Sequence, residues 1–162
     1  MKIIRLLAIL LALAACGEES GKASHVGDVP PPFKLATLDG ATLDYPAATI
    51  GKVVVVRFWA TWCPFCKDEM KMIQAVWSQS RAKGVEVLAV NAGQDKGDIA
   101  DFIAKLGVTY PVLLDPGSKT ARQYGVTGLP MTLFIGRDGK VKGRILGETD
   151  EATFRRKLEE LL

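Results

Sequence analysis

The sequence is poor in metal ligands, with one histidine, His25, and three cysteines in 162 residues. A structural zinc site takes four Cys or His ligands, and no second cysteine pair exists to complete one, so no metal is expected. Charge of one sign is equally scarce. A formal net charge of +3 falls to +1 once Lys2 and Arg5 are set aside, which offers no basic face for nucleic acid and nothing that calls for an acidic partner. The apolar run from Leu6 to Ala15 is about half of the roughly 20 residues that a membrane-spanning helix needs. There is no internal repeat and no low-complexity block. The length admits one domain of ordinary size plus something short at an end.

The short piece is at the start. Lys2 and Arg5 precede the apolar run, which ends in small residues, and this is the layout of an export signal. Leu13-Ala14-Ala15-Cys16 resembles the lipobox of bacterial lipoproteins, in which the cysteine becomes the lipid-modified first residue of the mature protein. Residues 1–15 are then a signal peptide, and Cys16 carries acyl chains rather than redox chemistry. An uncleaved anchor, or a secretory signal with a coincidental cysteine, is the plain alternative. Removing the first 15 of the 162 residues leaves 147. Residues 16–32 are rich in Gly, Ser and Pro and lack periodic apolar positions, so they read as a flexible tether, with the folded domain over 33–162.

Within that domain, Phe33–Leu38 and Ala41–Leu43 flank Asp39-Gly40, a tight-turn signal that predicts an N-terminal β-hairpin. Val53–Trp59 is a β-branched and aromatic run suited to a strand buried on both faces. A helix is expected after it, running toward Lys83 with Met70, Ile73, Ala75, Val76 and Trp77 on its apolar face and Gly84 as its stop. Val85–Val90 reads as a strand, Asp98–Leu106 as a helix ended by Gly107, and Pro111–Leu114 as a short strand. Pro116–Tyr124 reads as a helix capped by Asp115 and ended by Gly125. Met131–Ile135 and Lys140–Leu146 form a second hairpin through Asp138-Gly139, and Asp150–Leu162 closes the chain as a helix. Strands alternating with helices predict an α/β domain with a mixed central β-sheet flanked by helices.

Once Cys16 is assigned to lipid, Cys63 and Cys66 remain, spaced C-x-x-C. They enclose almost no loop, so a disulfide between them would stabilise the fold little by chain entropy, and reactivity explains the pair better than stapling does. The order strand, Trp62-Cys63-Pro64-Phe65-Cys66, helix puts Cys63 at or just before a helix N-terminus with Cys66 one turn in. Free backbone N–H groups and the helix dipole there favour a thiolate. Cys63 is the expected nucleophile, attacking a substrate disulfide, and Cys66 resolves the mixed disulfide from within. Trp59 reads as core, Trp62 as a partly exposed platform for substrate, and Phe65 as a cover over Cys66 that shapes partner contact.

Phe58-Trp59-Ala60-Thr61-Trp62-Cys63-Pro64-Phe65-Cys66-Lys67-Asp68-Glu69, then Val90-Asn91-Ala92-Gly93, then Val126-Thr127-Gly128-Leu129-Pro130-Met131-Thr132 resemble the membrane-tethered thioredoxin-like proteins of TlpA and ResA type. The likeness runs from about Val26 to the C-terminus. It implies a thioredoxin fold and thiol-disulfide oxidoreductase activity, with the Cys63–Cys66 disulfide as redox centre and no other cofactor. It also implies a cis peptide before Pro130 facing the cysteines, so that Leu129 and Pro130, with Trp62, Pro64 and Phe65, meet an extended substrate. A strand-edge proline is the alternative for Pro130. Glu69, three residues after Cys66, falls on the same side of the helix; the resemblance makes it a group that tunes cysteine acidity and moves protons, while its position alone allows a solvated first-turn glutamate. Arg57 departs from the pattern, standing where thioredoxin has a buried acid and many relatives have Asn. An arginine cannot accept the proton of Cys66, which leaves that task to Glu69 or water; if Arg57 reaches the pair, it favours the thiolate.

The function expected is reduction of disulfides in extracytoplasmic proteins, by resemblance the haem-site cysteines of apocytochromes c, fed by a membrane electron donor. The protein is expected as a lipid-anchored monomer facing the periplasm or cell exterior, with protein thiols and disulfides as partners. Two other readings stand beside it. Val26–Leu35 resembles the opening of peroxiredoxins, which suggests a peroxidase, although those enzymes lack this C-x-x-C after a tryptophan. A non-enzymatic copper or thiol carrier, using the two thiols and His25, is the third.

Overall fold

A computed structural model describes residues 24–162, so the expected export signal and Cys16 lie outside the described residues. Its seven strands are β1 (Phe33–Thr37), β2 (Thr42–Tyr45), β3 (Val53–Trp59), β4 (Val85–Ala92), β5 (Val112–Asp115), β6 (Met131–Ile135) and β7 (Val141–Leu146). They form one sheet in the order β2-β1-β5-β4-β3-β6-β7. The β3–β4 and β4–β5 pairs are parallel and the other four antiparallel, so the sheet is mixed as expected.

Every residue of β3 is buried, which is why its sequence is a continuous apolar run rather than an alternation. Its side chains serve two cores by parity. Val53, Val55 and Trp59 pack with the helices α1 (Cys66–Ser80), α2 (Lys96–Leu106) and α4 (Glu151–Glu159). Val54, Val56 and Phe58 face the other side, where Phe33 and Tyr45 of the N-terminal hairpin meet Ala121 of α3 (Lys119–Gln123) and Tyr124. Each such large apolar side chain contributes on the order of 1.5–3 kcal/mol by leaving water. Arg57 has the parity of Val55 and Trp59 and therefore lies on the α1 side of the sheet.

Several expectations need correction. The tether ends sooner than Pro32: the Gly27 N–H donates to the Val141 carbonyl (2.8 Å), the Val141 N–H donates to the Asp28 carbonyl (2.9 Å), and the Tyr124 hydroxyl donates to the Pro31 carbonyl (2.7 Å). Local polarity read as a free linker is in fact a segment satisfied by β7 and Tyr124. The helix expected over Pro116–Tyr124 is only five residues, because the chain first turns at Pro116-Gly117 and Ser118 adopts φ 51°. Asp115 still caps it, from the end of β5, accepting the Thr120 and Ala121 N–H groups at 3.2 and 2.9 Å. Ala75 is exposed rather than on the buried face of α1, where Met70, Ile73, Val76 and Trp77 suffice. Helix α1 starts at Cys66 itself, so Cys66 is its first residue and Cys63 lies in the turn that leads in.

The three tyrosines, Tyr45, Tyr110 and Tyr124, are all buried. Burial pushes Tyr45 up to about 12 and raises Tyr110 and Tyr124 further still. In the unfolded chain all three ionise near the ordinary value of about 10. The native state therefore retains protons that the unfolded state gives up; this stability is intact below pH ~10 and is lost as pH rises through the native values. Ultraviolet titration of the folded protein is expected to show no tyrosinate near pH 10, with its appearance coinciding with loss of tertiary structure. A tyrosine ionising near 10 in the folded protein would contradict this packing.

Candidate active site

The end of β3 delivers the chain into Ala60-Thr61-Trp62, and the Cys63 N–H donates back to the Ala60 carbonyl (3.2 Å). The Cys66 N–H then donates to the Cys63 carbonyl (3.2 Å), a tight turn that leads straight into α1. Within it Cys63 and Cys66 are joined as a disulfide. Pro64, lacking an N–H and holding helical φ, suits a turn entering a helix. Cys66 is fully buried and Cys63 only 2% exposed, whereas Trp62 and Phe65 beside them are 68% and 49% exposed. Two large aromatic side chains thus stand in solvent around a sulfur pair that is sunk to its edge. Trp59 is fully buried and stacks on Phe102, as expected of core.

The Leu129–Pro130 peptide is cis, and it immediately precedes β6, the antiparallel neighbour of β3. Leu129 packs against both core clusters, the one holding the two cysteines included.

Glu69 is buried, not solvated. Its Oε2 accepts from Nη2 of Arg57 in an ion pair, and its Oε1 accepts the Thr149 backbone N–H at 2.7 Å. Arg57, fully buried, uses Nη1 to donate to Thr132 Oγ1 at 2.9 Å. Beside this pair lies a cleft of about 630 Å³. Pro64, Phe65 and Ile145 form apolar parts of its wall, and Asp68, Glu148 and Asp150 put carboxylates around it. Asp150 is held below the usual carboxylate range by the Thr153 N–H and hydroxyl that it caps.

A second network holds the turn from the other side. Gln94 accepts the Thr61 N–H at 2.7 Å and donates to Thr61 Oγ1 at 2.6 Å, while Asn91 Nδ2 donates to the same Gln94 carbonyl at 3.0 Å. Nothing in the local sequence marks Gln94, or Thr149, as belonging to the site. Each arrives from a loop whose position only the tertiary fold fixes. Asn91 and Thr132 sit inside the motifs already noted, without a role that spacing could reveal.

Among the described residues, no group of three or more His, Cys, Asp and Glu side chains is arranged to hold a metal ion. His25 is exposed. What the arrangement can do is exchange a disulfide: a sulfur pair at the head of a helix, where N–H groups favour a thiolate, next to exposed aromatic surface and the end of a strand. Chemistry and architecture together define the class as the thiol-disulfide oxidoreductases of thioredoxin fold.

Comparison with known proteins narrows this. The chain belongs to the AhpC/TSA family, whose model matches residues 26–144. Thiol-disulfide oxidoreductase ResA of Geobacillus thermodenitrificans is 34% identical over 98% of this chain and 95% of its own length. Among solved structures, a Chlorobium tepidum protein assigned as the thiol:disulfide interchange protein DsbE superposes with a TM-score of 0.81 at 30% identity, covering 86% of this chain and 99% of that one. A secreted Mycobacterium tuberculosis disulfide oxidoreductase homologous to E. coli DsbE gives 0.73 at 25% identity, covering 80% and 96%. The chain is accordingly a thiol-disulfide oxidoreductase.

Proposed function

We propose that this protein is an exported, lipid-anchored reductase of protein disulfides in which Cys63 attacks and Cys66 resolves. The observation that carries the reading is the Cys63–Cys66 disulfide at the head of α1, flanked by exposed Trp62 and Phe65 and lying in a core cluster against which Leu129, of the cis Leu129–Pro130 peptide, also packs. In the reduced protein the Cys63 thiolate attacks one substrate sulfur. The substrate S–S bond breaks, a mixed disulfide forms, and one substrate thiolate leaves. Cys66 then loses its proton and attacks Cys63 Sγ; the second substrate thiolate departs, and the two protons end on the substrate thiols. Two electrons have passed to the substrate, and the chain is left as the disulfide.

Trp62, Pro64 and Phe65 form the docking rim in this reading, and Leu129 offers its backbone to an extended substrate segment beside Pro130. With Cys63 so little exposed, a substrate reaches it only by inserting an extended stretch, which favours unfolded polypeptides over compact proteins. The haem-site cysteines of apocytochromes c, themselves closely spaced, are the proposed substrate, and a membrane protein the proposed donor. An export signal over residues 1–15 and a lipid on Cys16 are part of this reading, and the secretion of the mycobacterial relative supports an extracytoplasmic site of action. No described helix is long and apolar enough to cross a membrane. Because the domain is docked from Ser24 onward, an anchor at Cys16 would leave at most about 29 Å of extended chain between lipid and domain. A monomer suffices for every step.

The test is a redox titration of residues 24–162 against dithiothreitol or glutathione, following the thiol state by mass. One reversible two-electron couple is expected, at a potential below that of the glutathione pool, as a reductase requires. A couple near the strongly oxidising periplasmic catalysts would reassign the protein as a disulfide donor, and no couple at all would sink the reading.

A further inference from the structure

We propose that Arg57 is a positioning residue of the exchange reaction: its guanidinium balances the Glu69 carboxylate one turn from Cys66 and pins the first turn of α1 to β6, the strand that follows Pro130. The inference rests on the reading of Cys63 as attacking and Cys66 as resolving thiol.

Arg57 is the only buried charged side chain of the central strand, and it lies in the row that faces α1. Its two terminal nitrogens go to different elements. Nη2 donates to Glu69 of α1, and Nη1 to Thr132 Oγ1, two residues beyond Pro130. Glu69 extends the chain of contacts by accepting the Thr149 N–H from the loop between β7 and α4. One planar fork thus links the helix that carries Cys66, the strand beside the substrate-facing proline, and the loop that closes the cleft. Lysine, a point charge, would hold one of these contacts at a time.

The link is not explained by stability. A buried ion pair repays its desolvation poorly against an apolar pair of the same size, and here Arg57 Nε is left without any partner. What the pair does accomplish is electrical. Residues three apart on a helix have Cβ atoms about 5–6 Å from one another, so the Glu69 carboxylate lies within strong reach of Cys66 and the turn holding Cys63. Unbalanced, it would oppose a thiolate there; the guanidinium of Arg57 against it offsets that effect. The other charged groups around Glu69 are Asp68 on α1, Glu148 and Asp150 on the β7–α4 loop, and Lys157 on α4. Tyr110, whose hydroxyl donates to the Met70 carbonyl, is neutral. The three carboxylates are solvent-exposed and Lys157 is partly so, and all four are unchanged in every variant below.

The experiment is the pH profile of Cys63 alkylation by iodoacetamide in reduced protein, for wild type, Arg57→Met, Glu69→Gln and Arg57→Lys. Arg57→Met leaves a bare carboxylate, and its midpoint is expected to move up by about one pH unit, about tenfold less thiolate at a fixed pH below it. Glu69→Gln leaves a bare guanidinium, and its midpoint is expected to move down by a similar amount. Arg57→Lys keeps the charge and should stay within about 0.3 unit of wild type. Opposite shifts of the two neutralising variants are the signature, because a merely structural disturbance moves both the same way. Shifts of one sign, or none in either variant, would overturn the proposal. Should Arg57→Met fail to fold, the Glu69→Gln and Arg57→Lys profiles decide it: a downward shift in the first with none in the second supports it, and any other combination overturns it. Failure of the underlying reading looks different, since alkylation of the reduced wild type at neutral pH would then fall on Cys66 rather than Cys63.

Discussion

Replacing Cys63 with serine is expected to lower protein-disulfide reduction by more than about a thousandfold, whereas Cys66→Ser should stop the reaction one step later with substrate covalently attached. The two outcomes differ because the roles differ. A serine hydroxyl at 63 has no accessible anion at neutral pH, so no mixed disulfide forms. With serine at 66 the first attack proceeds, but nothing displaces the substrate from Cys63 Sγ, and a chain-plus-substrate adduct accumulates that dithiothreitol releases. The measurement is mass spectrometry of each variant, reduced and then mixed with an oxidised substrate polypeptide. Adduct on Cys63→Ser rather than on Cys66→Ser would exchange the two roles. The burial pattern favours the assignment given, since Cys66, the first residue of α1, is fully buried, whereas Cys63 keeps slight exposure next to exposed Trp62. Neither substitution should unfold the domain, because the disulfide closes only a three-residue separation and contributes little chain entropy.

Much of this site can be read from the chain, for reasons that are local. Val53–Trp59 announces a strand buried on both sides because a sheet interior leaves no position for solvent-facing residues, and the structure buries all seven. Gly84 and Gly107 announce helix ends because each adopts the left-handed conformation that other residues avoid, with φ of 83° and 66°. C-x-x-C following such a strand is legible for the same reason: spacing and context lie within a dozen residues. Where the reading fails, the deciding partner is distant. Residues 24–32 look like linker, yet they are ordered by Val141 and Tyr124, more than 90 positions away. The helix at Lys119–Gln123 is shorter than Pro116–Tyr124 because Asp115 caps it across a turn instead of adjoining it. Arg57 stands out in the sequence as a departure from the family pattern, but its partners Glu69 and Thr132 lie 12 and 75 residues off. Periodicity cannot pair a strand interior with a helix turn.

The Arg57–Glu69 pair also yields the largest stability effect expected outside the hydrophobic core. Either single replacement, Arg57→Met or Glu69→Leu, removes one charge and strands the other in a largely or wholly buried position. Breaking a buried pair in this way costs on the order of 3–5 kcal/mol, which for a domain of this size lowers Tm by roughly 10–20 °C. The double replacement strands no charge. It forfeits the bonds to Thr132 Oγ1 and the Thr149 N–H, each worth about 1–3 kcal/mol when a buried group is left unpaired, but Thr149 is only half-buried and water can replace its partner. Methionine and leucine meanwhile fill the space without desolvating a charge, so the double variant is expected within about 2 kcal/mol of wild type. Denaturant unfolding of the four proteins closes the cycle, and a coupling energy of several kcal/mol between the two sites is the expected result. Simple addition of the two single losses would mean that each residue stabilises the fold through its other contacts and that the ion pair contributes nothing. Strong coupling would instead place Arg57 and Glu69 in one unit, stable only when both charges are present or both absent, and that unit is anchored in the first turn of the helix that begins at Cys66.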